Sequence, residues 1–116
     1  MNNQPTQEIQ YYPKDALKLS DDVPGARQWA VSLENTMLTY FEVDSNCTFD
    51  SHSHESEQIT MVLEGVLYFE HGEMGFEVKA GETIAIPSNI PHSVYTTEAA
   101  VKAVDAWSPV MSKYQN

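Results

Sequence analysis

Residues 52 to 65, HSHESEQITMVLEG, contain the side chains with the clearest chemistry in the chain. On an extended strand His52 and His54 would point to one face, and Gln58 would share that face if no bulge intervenes. Neutral imidazole is the commonest protein ligand for first-row metals, and the amide oxygen of glutamine is a permissible further donor. Two histidines at this spacing also occur by chance on exposed strands, so the pair alone does not establish a metal site.

A further donor must come from elsewhere in the chain, which has only four histidines. His71 lies in the turn sequence HGEMG, and we interpret it as a solvated turn residue. His92 follows Pro91 at the start of an apolar segment and is the natural fourth donor. The sequence therefore suggests a site for a divalent transition metal (Fe, Mn, Ni, Co or Zn), with His52, His54, Gln58 and His92 as its ligands.

The elements that would position these side chains are short strands. Apolar runs rich in β-branched and aromatic residues alternate with turn signals about every 8 to 12 residues, a pattern typical of an all-β sandwich or barrel. Glu34 and Asn35 separate the runs QWAVSLE and TMLTYFEV, which predicts a hairpin. Helical periodicity is confined to residues 14–22. We expect residues 1–24 to form an arm and residues 25–116 to form one β-barrel domain.

Composition excludes several classes of partner. The 116 residues carry a formal charge of −11, and the six lysines and arginines form no cluster, so we expect no binding to nucleic acid. The chain has neither a secretory signal pattern nor an apolar stretch of the roughly 18 residues that span a bilayer, which favours a cytoplasmic protein without membrane contact. The single Cys47 agrees with a reducing compartment.

Two segments resemble the two sequence motifs of the cupin family. In the first segment, two histidines, a glutamine and a glycine have the spacing of the first cupin motif. In the second, asparagine replaces the motif's second glycine and threonine replaces its final asparagine. Asn46 likewise stands where a glycine usually precedes the first motif. Asparagine tolerates positive φ, so both turns are preserved. The matching residues are His52, His54, Gln58 and Gly65 in the first segment, and Gly81, Pro87, Asn89, His92 and Thr96 in the second.

This resemblance implies a single-domain cupin, a jelly-roll double-stranded β-helix barrel with a short N-terminal arm. It also implies the metal site already described, and a homodimer, since small cupins are often dimeric. With Gln58 in place of the usual acid, the four donors are neutral. An ion bound there would keep its full +2 charge and act as a stronger Lewis acid.

Three residues outside the motifs are candidates for catalysis. Arg27 is the only arginine and has the planar fork suited to a substrate carboxylate, although a solvated surface arginine is the commoner case. Asp105 and Trp107 share one face of the predicted strand AVDAWSP. If that face is inward, Asp105 must be paired or act as an acid or base; if it is outward, Asp105 is an ordinary surface residue.

A narrower resemblance concerns the substrate. The early ARQ, the central HSH and the late VDAWSPVMSKY are similar to the small cupins of pectin and alginate degradation, which linearise 4,5-unsaturated uronates. The resemblance implies a small carboxylated, sugar-derived substrate and a metal-assisted proton transfer in which Asp105, Trp107 and Arg27 take part. The alternatives are a non-catalytic ligand-binding or sensing cupin and a metal-dependent dioxygenase.

Overall fold

The computed structural model describes residues 8–115, and its regular structure is almost entirely β. The strands are β1 (Ser20–Asp21), β2 (Ala26–Ser32), β3 (Met37–Val43), β4 (Thr48–His52), β5 (Glu57–Glu64), β6 (Val66–His71), β7 (Met74–Lys79), β8 (Thr83–Ile86), β9 (His92–Tyr95) and β10 (Val101–Ser108), with single 3-10 turns at Lys14–Ala16 and Ser112–Tyr114.

All strands pair in antiparallel fashion within two sheets. The larger sheet has the strand order β1-β2-β3-β10-β5-β8, and the smaller has the order β4-β9-β6-β7. The predicted all-β architecture is therefore confirmed. No helix within residues 8–115 has the length and apolar character needed to cross a membrane.

Local signals account for most connections. The predicted hairpin forms between β2 and β3, where Ser32 pairs with Met37 and the Leu33 amide donates to the Thr36 carbonyl at 2.9 Å. The segment with helical periodicity contains only one 3-10 turn and then β1, which adds an edge strand to β2. Of the predicted arm, residues 8–13 are exposed and without regular structure, and residues 1–7 lie outside the described part of the chain.

Two asparagines adopt positive φ, as expected where cupin motifs usually carry glycine. Asn46 has φ 55° and Asn89 has φ 63°. The Asn89 amide donates to the His54 carbonyl at 2.8 Å, and the Ser88 hydroxyl donates to the Glu55 carbonyl at 2.6 Å. The turn before β9 therefore holds the loop that carries His54.

Along the strands, buried and exposed residues alternate, and the buried ones fill the space between the two sheets. Every second residue of β5 and β10 is inward. The inward residues Val62, Val101 and Ala103 are apolar, whereas the inward residues Gln58, Thr60 and Asp105 are polar. The apolar core consists of Ala26, Val43, Val62, Leu67, Phe69, Val78, Ile86, Val101 and Ala103.

The outward face of the larger sheet carries an apolar band, which we call the outer band. Cross-strand pairing places its side chains in two adjacent rows that cross the sheet. Antiparallel sheets that face water are usually polar on that side, so an apolar band is unusual. The first row is Val31, Leu38, Ala106, Ile59 and Ala85, and the second row is Trp29, Tyr40, Val104 and Met61.

Candidate metal centre

Three histidines from two distant segments come together, with His92 buried, His54 half-buried and His52 exposed. His52 ends β4 and pairs directly with His92 at the start of β9. His54 lies in the loop between β4 and β5, so a loop rather than a continuous strand face brings it to the others. One ring nitrogen from each histidine lies within 4.8 Å of the other two, which is close enough for all three to share one ion.

The hydrogen bonds of these histidines select the tautomer that binds metals. Each Nδ1 lies against a backbone carbonyl oxygen, which can only accept, so each Nδ1 carries the proton and leaves a lone pair on Nε2. Nε2 of His54 and Nε2 of His92 are buried without a partner among the described residues. The Nδ1 contacts are 2.9 Å from His52 to Asp50, 2.8 Å from His54 to Ser56 and 2.8 Å from His92 to Ile90.

The environment of His92 also favours its neutral form. Burial lowers the pKa of His92, and the nearby imidazoles of His52 and His54 add to this effect, while the bond to the Ile90 carbonyl opposes it. A neutral imidazole is the form that ligates a metal. His92 is therefore ready to bind an ion at neutral pH.

Gln58 supplies an oxygen donor to the same cavity. Its side chain is 7% exposed, and its amide nitrogen donates to the Thr60 hydroxyl at 2.8 Å and, at 3.5 Å, to Asp105. Its Oε1 is buried and has no partner among the described residues. A buried polar atom without a hydrogen bond costs about 1–3 kcal/mol, which a cation would offset. Three imidazole nitrogens and one amide oxygen fit a divalent transition metal.

Asp105 is inward, which decides between the two alternatives left open by its sequence. It is 6% exposed, and burial raises the pKa of its carboxyl to about 6, while hydrogen bonds from Thr60 and Thr39 act in the opposite direction. The Thr39 hydroxyl donates to Oδ2 at 3.3 Å, and the Thr60 hydroxyl donates to Oδ1. Trp107 Nε1 in turn donates to the Thr39 hydroxyl at 2.9 Å.

A cavity of about 650 Å³ between the two sheets is lined by the three histidines, Gln58, Asp105 and Trp107. The indole of Trp107 meets the His54 ring edge-on, with 5.3 Å between centroids, and Tyr114 packs close to the same indole. Phe41, Phe49, Leu67 and Val94 are among the apolar side chains that form the remaining wall. The cavity thus combines one polar corner with a mostly apolar lining, which is the usual composition of a small-molecule site.

Comparison with known proteins places this architecture in a family. The Cupin_2 family model, described as a cupin domain, matches residues 39–107, which is more than half of the chain. The chain is a cupin. In sequence, this cupin matches none of the curated proteins.

Solved structures agree with this assignment. KdgF from Halomonas sp. is 20% identical, with a TM-score of 0.83 over 91% of this chain and 100% of that one. An RmlC-like cupin from Shewanella frigidimarina is 16% identical, with a TM-score of 0.85 over 94% and 98% of the two chains. The polyketide cyclase RemF from Streptomyces resistomycificus is 22% identical, with a TM-score of 0.78 over 89% and 81%. At these identities the likeness shows a shared fold only.

Arg27 does not join the other predicted site residues of the cupin. The alternation of β2 places Ala26 inward and Arg27 outward, where its guanidinium forms an ion pair with Asp44 at 2.9 Å. Arg27 is not among the residues that line the cavity. The basic side chain at the cavity is Lys113, which is the one lysine or arginine among the described lining residues and lies 3.8 Å from Asp22.

Sequence reasoning missed three site residues. Thr39 and Thr60 occupy inward positions in TMLTYFEV and QITMVLEG. Strand alternation alone could have identified them, because it assigns these two polar residues to the inward face. Lys113 follows the last strand in a 3-10 turn, and no periodicity in the sequence indicates that this turn packs on the cavity. His71 is exposed, as expected, but it is the last residue of β6 rather than a turn residue, and its Nδ1 lies 2.7 Å from the Pro91 carbonyl oxygen.

Proposed function

We propose that this cupin binds a divalent transition metal through His52, His54, Gln58 and His92 and linearises a 4,5-unsaturated uronate by metal-assisted proton transfer. The observation that carries the proposal is the convergence of three histidines and Gln58 at the wall of a cavity that also holds a buried carboxyl and an indole. Nε2 of His54, Nε2 of His92 and Oε1 of Gln58 are buried there without a hydrogen-bond partner among the described residues. The resemblance of VDAWSPVMSKY and the two motifs to unsaturated-uronate cupins supports the choice of substrate.

The metal, when bound, would polarise a substrate oxygen or a water molecule, and the neutral donor set would leave its +2 charge undiminished. The protein contributes lone pairs held in place by the Nδ1 hydrogen bonds and by the hydrogen bond that the Gln58 amide nitrogen donates to Thr60. These hydrogen bonds orient the donor atoms before the metal or the substrate binds.

Asp105 is the group that would move a proton. A pKa of about 6 leaves both the acid and the base form accessible near neutral pH, where general acid–base catalysis is most efficient. Trp107 would present its indole as a rigid wall for the substrate ring, since its Nε1 bond to Thr39 fixes its orientation. Both side chains line the cavity that also contains the histidines.

Lys113 would pair with the substrate carboxylate. Lys113 lines the cavity, and the 3.8 Å between its Nζ and Asp22 Oδ1 is longer than a hydrogen bond. A carboxylate entering the cavity would replace a weak contact by a stronger one. We assign this role to Lys113 rather than Arg27, because Arg27 is outward and already paired with Asp44.

The test is an assay of protein loaded separately with Fe, Mn, Ni, Co and Zn. A 4,5-unsaturated galacturonate should lose the absorbance of its conjugated double bond, and the Asp105→Asn variant should lower the rate by about 100-fold or more. Arg27→Gln is the control and should leave the rate unchanged. No loss of absorbance with any of the five metals would remove the uronate reaction. Oxygen consumption would instead indicate a dioxygenase, and binding without turnover would indicate a sensing module.

We further propose that a second copy of the cupin covers the outer band and forms a homodimer. The band has no charged side chain, so two copies can approach there despite their net charge of −11. Beside it, Arg27, Glu42, Lys102 and Glu64 alternate in sign along one row, which allows two copies to match opposite charges. Ile59, at 52% exposure, protrudes more from the band than Leu38 at 43% or Met61 at 42%.

Sedimentation equilibrium tests the dimer. The unmodified protein should have twice the mass of one chain, and Ile59→Lys should shift it to the monomer, since a buried lysine would remain unpaired at the interface. Met74→Lys is the matched control, because Met74 is equally exposed but lies on the smaller sheet. A monomeric unmodified protein would overturn the proposal.

A further inference from the structure

Five buried side chains form one hydrogen-bonded chain that ends at a predicted metal ligand. Trp107 donates to Thr39, and Thr39 donates to one oxygen of Asp105. On the other side, Gln58 donates to Thr60, and Thr60 donates to the second oxygen of Asp105. Cross-strand pairing explains the contacts, because Asp105 on β10 lies opposite both Thr39 on β3 and Thr60 on β5.

The direction of each hydrogen bond follows from how many protons each group has. A threonine hydroxyl has one proton to donate and two lone pairs to accept with, while a carboxylate only accepts. Once Thr60 donates to Asp105, it can only accept from Gln58. The Gln58 amide must therefore turn its NH₂ toward Thr60, which leaves Oε1 facing away from Thr60.

This polarity matters because an amide has two orientations of nearly the same shape. In one orientation Gln58 would present an oxygen to the imidazoles of His52, His54 and His92; in the other it would present an NH₂, which repels a cation. The two forms occupy the same volume, so packing does not choose between them. The hydrogen bond with Thr60 does choose.

We propose that Asp105 is a positioning residue for the metal ligand Gln58. By accepting the hydrogen bond of Thr60, Asp105 sets the polarity of the chain and leaves the Gln58 oxygen free for an ion held by the three histidines. This role is separate from proton transfer to the substrate. It rests on the metal binding of the proposed function, but not on its substrate or reaction.

The need for a positioning residue is specific to glutamine. A glutamate at position 58 would present an oxygen in either orientation of its carboxylate, so its ligation would not depend on the polarity of Thr60. Exchange of Gln58 for glutamate should therefore remove the dependence of metal affinity on Asp105. A role of Asp105 in general stability would persist after that exchange.

The experiment is a double-mutant cycle with Zn²⁺ and Ni²⁺ as probes. The affinity of each ion is measured at pH 8 by competition with a chromophoric chelator for the unmodified protein, Asp105→Leu, Gln58→Glu and the double variant. Asp105→Leu should weaken binding by about 10- to 100-fold, the usual effect of losing a group that orients a ligand. In the Gln58→Glu background, the same change should weaken binding by less than about threefold or strengthen it.

Two further variants keep the test decisive. Asp105→Asn retains the volume and one acceptor oxygen, and should give an intermediate loss if Asp105→Leu does not fold. Thr39→Val is the matched control for the chain, since Thr39 is as buried as Thr60 and also donates to Asp105 but does not contact Gln58. It should change affinity by less than about threefold.

The outcomes separate the two proposals. Equal losses from the Asp105 changes with glutamine and with glutamate at position 58 would overturn the positioning role and leave metal binding intact. An unmodified protein that binds neither ion would overturn metal binding, and the positioning role with it.

Discussion

The two ends of the interior surface shared by β5 and β10 serve different purposes with the same backbone geometry. At one end, Val62 lies opposite Ala103 and packs in the apolar core. Two residues earlier on β5 and two residues later on β10, Thr60 lies opposite Asp105, and the inward positions become polar. Strand alternation is unbroken between the two ends. A functional site thus arises when polar residues replace apolar ones without changing which positions are inward.

The difference also explains why the polar end must form a connected network. The apolar end needs only volume and shape, because dispersion and burial have no direction. At the polar end, each buried donor and acceptor needs a hydrogen-bond partner. Among the described residues, three buried atoms at the cavity have none: Oε1 of Gln58, Nε2 of His54 and Nε2 of His92. These are the atoms that a metal would bind.

The largest expected effect comes from removing a histidine of β9 that lines the same cavity as the polar end. His92→Ala should weaken Zn²⁺ affinity by at least about 1,000-fold, because one of three imidazoles is lost from a site with no charged ligand. His71→Ala is the matched control, since His71 is an exposed histidine outside the cluster, and it should bind like the unmodified protein. Competition with a chelator measures both. Comparable losses in the two variants would contradict the assignment of His92.

The next largest effect comes from breaking the apolar end. Val62 is fully buried, so Val62→Ala should lower the free energy of unfolding by about 2–3 kcal/mol through lost burial and a residual cavity. Metal affinity should stay within about threefold, since Val62 contacts no ligand. Leu63→Ala, at an exposed neighbouring position, is the control and should change the stability by less than about 0.5 kcal/mol. Urea unfolding and chelator competition together would show whether the two ends are independent.

A smaller effect is expected in the pH dependence of stability. The folded pKa of Asp105, about 6, lies above the ordinary value of 3.8 because the carboxyl is buried, so the fold favours the protonated form. The resulting stability is fully present below about pH 4 and is lost as the pH rises through about 6. Between pH 4.5 and 8, this single group should cost the metal-free protein about 2 kcal/mol relative to Asp105→Asn.

The comparison with Asp105→Asn isolates this contribution. His92 has a lowered pKa and therefore acts in the opposite direction, destabilising the fold as the pH falls, but it does so in both proteins. Urea unfolding of metal-free samples at the two pH values measures the difference. Parallel pH profiles for the two proteins would contradict a raised pKa for Asp105.

The smallest effect is expected outside the interior, at Arg27. Arg27→Ala removes an exposed ion pair with Asp44, so the unfolding midpoint and metal affinity should be indistinguishable from those of the unmodified protein. Lys113→Ala should instead raise the KM for a carboxylated substrate by about tenfold with little change in kcat, if Lys113 binds the carboxylate. Steady-state kinetics distinguishes the two positions, and a KM effect confined to Arg27→Ala would reverse our assignment.

The sequence was most informative about the metal-binding histidines and about the turns. Motif spacing predicted that His92 joins His52 and His54, and the structure brings these rings together. The asparagine substitutions at positions 46 and 89 also indicated the positive φ found there. Each of these predictions depends on residue types and their spacing along the chain, and the sequence contains both.

The remaining features depend on which strands become neighbours. The threonines that hold Asp105 come from β3 and β5, and their meeting depends on the strand order β3-β10-β5, which periodicity does not contain. The outward direction of Arg27 depends on the register of β2, where a shift of one residue would reverse it. The segment 14–22 has a helical period but pairs partly as a strand, since the open edge of β2 offers hydrogen bonds.

X-ray absorption spectroscopy of the zinc- or nickel-loaded protein tests the central claim most directly. We predict one ion per chain with three imidazole nitrogens and an oxygen at about 2.0–2.2 Å, and loss of one imidazole in His92→Ala. Fewer than three imidazoles, or a sulfur at about 2.3 Å from Cys47, would contradict the account.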